Sequence, residues 1–169
     1  SDFVAFVGKN PQYESALVEA TTLAGDTKTS KSFVEIAQYY LSKGDKNKAL
    51  EYYEQALALE SDDFGVLRNI LLLHIDLMQY DEAALKSKKA LDKYPSMPIL
   101  YLINGVALNK LKRAEEAASI LEAGLDYIID DTKMEIDFYN QLSIAYTLLN
   151  NESKAKAFSD KAKKLETPN

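Results

Sequence analysis

Apolar residues in "SFVEIAQYYLSK" (residues 32–43) recur at steps of three and four, with Phe33, Ile36, Ala37 and Tyr40 on one side of a 3.6-residue period. The stretch that follows, "NKALEYYEQALALE" (47–60), repeats that spacing with Ala49, Tyr53, Ala56 and Leu57, and a short polar turn near Gly44 to Asn47 separates the two. The pattern predicts a helical hairpin. A helix that only filled a core could use Leu, Ile or Phe throughout; this one sets two alanines seven residues apart around a tyrosine, as close approach by another helix requires.

The hairpin then returns along the chain at a step of 34 residues. Ala49 is followed by Ala83 and Ala117, and Ala56 by Ala90 and Gly124; upstream, Phe33 leads to Leu67 and Tyr101, Ile36 to Ile70 and Asn104, Ala37 to Leu71 and Gly105, Tyr40 to His74 and Leu108. A fourth copy follows after 38 residues with Tyr139, Leu142, Ser143, Tyr146, Ala155 and Ala162. A lone short hairpin cannot bury its own apolar stripe and stacks on its neighbours, so the recurring small residues read as spacers between helices. The four additional residues before the fourth copy amount to about one helical turn. They predict a longer second helix in the third hairpin, near Asp126 to Lys133.

These columns resemble the tetratricopeptide repeat, whose first helix carries an aromatic, Leu, Gly and Tyr and whose second carries Ala, an aromatic, Ala and a closing Pro. Residues 30–63 present this as Phe33, Ile36, Ala37, Tyr40, Gly44, Ala49, Tyr53 and Ala56; residues 64–97 add Pro95, residues 98–131 have the glycine as Gly105, and residues 136–169 form the fourth copy. Met78, Lys112 and Asn150 replace the turn glycine, Ser61 and Ile129 the proline, and Asn104 stands where Leu is usual. The resemblance implies an all-α chain, a right-handed α-solenoid of about four stacked antiparallel hairpins with an N-terminal helix and no sheet. Residues 1–29 read either as the downstream helix of a truncated earlier hairpin or as a dedicated cap, with Asn10 as N-cap and Pro11 in the first turn.

In that family the upstream helices line a concave groove that takes an extended peptide or a partner helix. By offset, the groove here draws Gln38 and Leu41 from the first copy and Arg68, Asn69, Leu72 and Ile75 from the second. Leu102, Ile103, Val106 and Asn109 follow from the third, and Asn140, Gln141 and Ile144 from the fourth. The clamp with which relatives hold a terminal carboxylate would fall on Val34, Gln38, Asn69, Ile99 and Ile103, and only Asn69 agrees. The apolar row Leu72, Ile75, Leu102, Ile103, Val106 and Ile144 points instead to a hydrophobic partner segment, with Arg68, Asn69 and Asn109 fixing its register. The alternative is that this face is buried against a second copy in a homodimer or against the rest of a longer protein.

Composition adjusts this reading only at its edges. The 169 residues are 47% hydrophobic with six Gly and four Pro, enough apolar content for a packed core and few turn formers. Acidic residues outnumber basic ones 26 to 20, and a net charge of −6 disfavours nucleic acid as a partner. The lysine runs at 86–89 and 154–164 lie on downstream helices, whereas a base-reading helical repeat, the minor RNA-binding alternative, wants basic groups on the upstream ones. There is no cysteine, and the single histidine, His74, sits in a packing column without a second imidazole to share a metal. Asp62, Asp63, Asp130 and Asp131 read as helix caps, and calcium, phosphate-loop and nucleophile-elbow patterns are absent. The expectation is a non-enzymatic binding protein with a protein or peptide partner, no cofactor, no metal and no membrane insertion, compatible with cytoplasm or bacterial periplasm.

Overall fold

In the computed structural model the described residues, 29–167, form eight helices joined by short turns: α1 (Ser30–Ser42), α2 (Lys46–Leu59), α3 (Phe64–Asp76), α4 (Tyr80–Lys93), α5 (Pro98–Lys110), α6 (Ala114–Leu125), α7 (Thr132–Leu148) and α8 (Glu152–Glu166). No strand occurs among them. The expected N-terminal helix lies outside the described residues.

Local chemistry sets the ends of these helices. Thr29 and Ser32 form a reciprocal capping box at the start of α1. Asp45, Asp63, Asp131 and Asn151 each accept from the amide three residues on, at 3.0, 3.0, 2.9 and 3.1 Å, so the second aspartate of each acidic pair acts as the cap. Each upstream helix closes in the same way. Gly44, Met78, Lys112 and Asn150 adopt φ of 79°, 59°, 62° and 57°. The next amide along then donates to the carbonyl five residues back: Asp45 to Tyr40, Gln79 to His74, Arg113 to Leu108 and Asn151 to Tyr146, at 2.8–2.9 Å. Three residues other than glycine therefore occupy the left-handed position that only Gly44 fills without steric cost.

The chain divides into two compact units, and the division falls within α3 after Leu73. In the first unit Ile36, Ala37, Tyr39, Ala49, Tyr53, Ala56, Ile70 and Leu71 are almost wholly buried. Tyr40 stacks on Tyr52 at 5.5 Å with Lys48 over its ring, and the Tyr53 hydroxyl bonds to Asn69. In the second unit one core joins Ala83, Ala117, Leu121, Phe138, Leu142 and Ala145. Its last hairpin repeats the aromatic device of the first, with Tyr146 stacked on Phe158 at 5.7 Å and Lys154 over Tyr146.

The small residues sit where the spacer reading puts them: Ala49, Ala83 and Ala117 are fully buried. Gly105 faces Leu121, and a β-carbon on Gly124 would meet Tyr101 Cβ at 2.5 Å and Phe138 Cε1 at 2.6 Å.

One expectation is corrected. α6 stops at Leu125, and the additional turn lengthens α7, which has 17 residues against 13 in α1, α3 and α5. The reason is local. Asp130 takes a left-handed conformation and Asp131 caps Met134, so the aspartate pair starts a helix rather than continuing one. A whole added turn keeps Phe138, Leu142 and Tyr146 in phase with the core.

Candidate partner-binding surface

The residues selected by offset fall into three environments. Leu102 and Val106 lie four residues apart on α5 and are both half-buried, with Asn109 three residues further on the same face. Leu102 and, from the end of α3, Ile75 rest against the second unit's core. Ile144 on α7 is 45% exposed. These four apolar side chains are open to solvent in whole or part. Ile103 is not: at 3% exposure it belongs to the packed interior, because its position on α5 turns it toward the neighbouring helices. In the first unit Leu72 is 42% exposed and Arg68 is exposed, while half-buried Asn69 is engaged with Tyr53.

Asn109 gives this face its rigidity. Buried to 4% exposure, it donates through Nδ2 to the Gln141 carbonyl at 2.9 Å and to Gln141 Oε1 at 3.1 Å, tying α5 to α7. Its Oδ1 is buried with no hydrogen-bond partner among the described residues. The tie joins two upstream helices, from one hairpin to the next, one turn beyond the Val106 end of the strip formed by Leu102 and Val106.

His74 is 4% exposed and its Nδ1 pairs with Gln79 Oε1 at 2.7 Å, which places the proton on Nδ1 and makes the ring part of the turn. Among the described residues no three His, Cys, Asp or Glu side chains are placed to hold a metal ion. Shifted ionisations belong to packing and surface pairs: burial raises Tyr53, and the Glu116 carboxylate raises Arg113 through a bidentate bond of 2.7 and 2.8 Å. Lys88, Lys89, Lys156, Lys163 and Lys164 are exposed on downstream helices. No helix among the described residues is long and apolar enough to cross a membrane.

A family model for the tetratricopeptide repeat matches residues 7–165. The chain belongs to the tetratricopeptide repeat family. Solved structures of this fold agree. A MamA structure designated AMB-1 is 20% identical with a TM-score of 0.74, over 98% of this chain and 96% of that one. MamA from Desulfovibrio magneticus RS-1, starting at its residue 41, is 13% identical with a TM-score of 0.76, over 98% and 94%. A thermophilic tetratricopeptide repeat protein of Thermus thermophilus is 20% identical with a TM-score of 0.65, over 81% and 74%. At these identities the likeness is one of fold. Among curated proteins none matches.

Two features of this tetratricopeptide repeat protein escaped the sequence reading. The Asn109–Gln141 tie joins residues 32 apart, and each was read only as a groove position. Asn104, noted as a departure from Leu, is 3% exposed and donates through Nδ2 to the Ala84 carbonyl at 2.7 Å and to Ser87 Oγ at 2.8 Å. The signal that could have found this pair is in the columns: Ser87 stands 34 residues after Tyr53, so two polar residues replace two large apolar ones.

Proposed function

We propose that this chain is a protein-interaction scaffold whose upstream helices hold an apolar segment of a protein partner, with Leu102 and Val106 at the centre of the contact. The observation that carries the reading is the Asn109 tie: it holds α5 against α7 beside an apolar strip on the same face of α5 that is only half-buried. A preorganised apolar strip with placed polar groups binds without a large ordering cost. Ile75 and Ile144 extend the contact within the second unit. In the first unit Leu72 with Arg68 and Asn69 offers a separate contact.

The test places a photo-crosslinking residue at Val106 to identify the partner, then measures that partner's binding to Val106→Asp by calorimetry, with circular dichroism as the folding control. A charge on a desolvated central contact weakens binding by at least about tenfold. Full binding by a folded Val106→Asp refutes the assignment and moves the interface to another face. If the crosslink captures only a second copy of the chain, and molar mass rises with concentration for the native chain but not for the variant, the strip is a self-association surface.

A further inference from the structure

The side of α4 that is buried in the second unit carries Ala83, Ala84, Ser87 and Ala90, with no large side chain among them. Tyr80 and Leu91, the large apolar residues through which this helix packs on the core, sit near its two ends and are only half-buried. The neighbouring downstream helices differ. α2 buries Leu50 and Tyr53, and α6 buries Leu121, which lies against Gly105 of α5. Large side chains set into notches fix how far one helix slides along another, whereas apolar contact as such has no direction. A face of small residues gives α5 no such key.

The junction of α4 with α5 carries a directional contact instead. Asn104 of α5, at 3% exposure, donates through Nδ2 to the Ala84 carbonyl at 2.7 Å and to Ser87 Oγ at 2.8 Å, and the wholly buried Ser87 hydroxyl donates back to the Ala83 carbonyl. By column, the corresponding residues at the junctions before and after are Tyr53 with Ile70 and Leu121 with Leu142, large and predominantly apolar on both sides. Ser159 repeats the serine on α8, which no later upstream helix among the described residues meets. Among the four buried residues of α4 only Ser87 has a side-chain acceptor. A slide of α5 by one turn, about 5.4 Å, would bring Leu100 or Leu108 opposite Ser87 and leave an Asn104 Nδ2 proton buried without that partner.

We infer that the pair of Asn104 and Ser87 is a register key, fixing the position of α5 along α4 where packing alone accepts α5 displaced by one turn. A buried polar contact of this kind adds little net stability over an apolar pair but singles out one arrangement, because the others leave it unsatisfied. It does for α4 and α5 what Leu121 does for α5 and α6. α5 is then held on two sides by side-chain amides, Asn104 to α4 and Asn109 to α7, and its open face takes one position along the stack. The inference is independent of what binds that face.

The test places spin labels on the full chain at Asp92 and Lys110, both exposed, through cysteines introduced into a sequence that has none. Double electron resonance reads the distribution of distances between them, and urea unfolding is the second readout. The labelled parent is expected to give one narrow distance. Asn104→Leu, which restores the apolar residue type of the other copies, is expected to keep or raise the unfolding midpoint while the distribution gains a second population displaced by about 5 Å, one helical turn. A merely stabilising hydrogen bond gives the reverse, a lower midpoint with one unchanged distance. That result overturns the proposal, as does any folded Asn104→Leu with a single unchanged distance. If Asn104→Leu fails to fold, Asn104→Ala, which adds no volume, decides by the same distance measurement. Failure of both variants to fold overturns the proposal too, because a register key is dispensable for the stability of the chain.

Discussion

Gly124→Ala sets two physical rules against each other with opposite signs. In a helix interior alanine is favoured over glycine by about 1 kcal/mol, so propensity alone predicts that the variant is more stable. The geometry predicts the reverse. The added methyl would sit 2.5 Å from Tyr101 Cβ, 2.8 Å from Tyr101 Cγ and 2.6 Å from Phe138 Cε1, where carbon atoms ordinarily rest about 3.5–4.0 Å apart. A Cβ is tied to its backbone, so Tyr101 cannot rotate away; α5 or α6 must move by about 1 Å, and the wholly buried Phe138 has no space to retreat into. Overpacking of this kind costs roughly 1–3 kcal/mol, to which the lost stacking of Tyr101 on Tyr127 adds if α5 shifts. Set against the propensity gain, and with the lost stacking counted at about 0.5–1.5 kcal/mol, the expected net effect is a loss of about 0.5–3.5 kcal/mol. Urea unfolding followed by circular dichroism measures it as a lower midpoint at unchanged slope. Gly65→Ala is the comparison: exposed in the first turn of α3, its new methyl meets only Asp63 Oδ1 at 3.1 Å, the oxygen that caps Val66, so the cap's shift offsets the propensity gain and the midpoint is expected to fall by less than for Gly124→Ala. A Gly124→Ala midpoint equal to or above that of the parent refutes the close approach of α5, α6 and α7 at this point.

Met78→Gly and Lys112→Gly relieve the left-handed turn residues at φ of 59° and 62°; the relief of about 1–2 kcal/mol exceeds the cost of a freer unfolded chain, about 0.4–1 kcal/mol, so each variant gains roughly 0.5–1 kcal/mol in the same urea assay. Tyr139, pushed up to about 12 by burial and by its 2.6 Å bond to Glu135, keeps its proton in the native chain after the unfolded chain has lost it near pH 10. The stability this contributes is present below about pH 10 and falls away between about pH 10 and 12, and a pH series of unfolding midpoints should fall less steeply over that window for Tyr139→Phe than for the native chain.

The architecture was legible because it is periodic. A 34-residue return of Phe33, Ile36, Ala49 and Ala56 fixes which residues are helical and which face is buried, since only stacking satisfies an apolar stripe on every short hairpin. The capping aspartates were legible for a related reason: their chemistry acts within three residues. The surface was less legible. Offset placed Leu102, Val106 and Ile144 on open faces but also Ile103, which is buried, because a period gives the direction of a side chain and not how closely the next helix approaches it. Whether four additional residues extend α6 or α7 was settled by where Asp130 and Asp131 break the backbone, a contest of local propensities that the count of residues does not record. The two asparagines show the limit most clearly. Asn109 meets Gln141 across 32 residues and Asn104 meets Ser87 across 17, and a hydrogen bond between distant residues is specified by distance and angle in the folded chain. A sequence marks such residues as exceptions to the repeat; only the tertiary structure decides that each ties two helices together, Asn109 joining α5 to α7 and Asn104 joining α5 to α4.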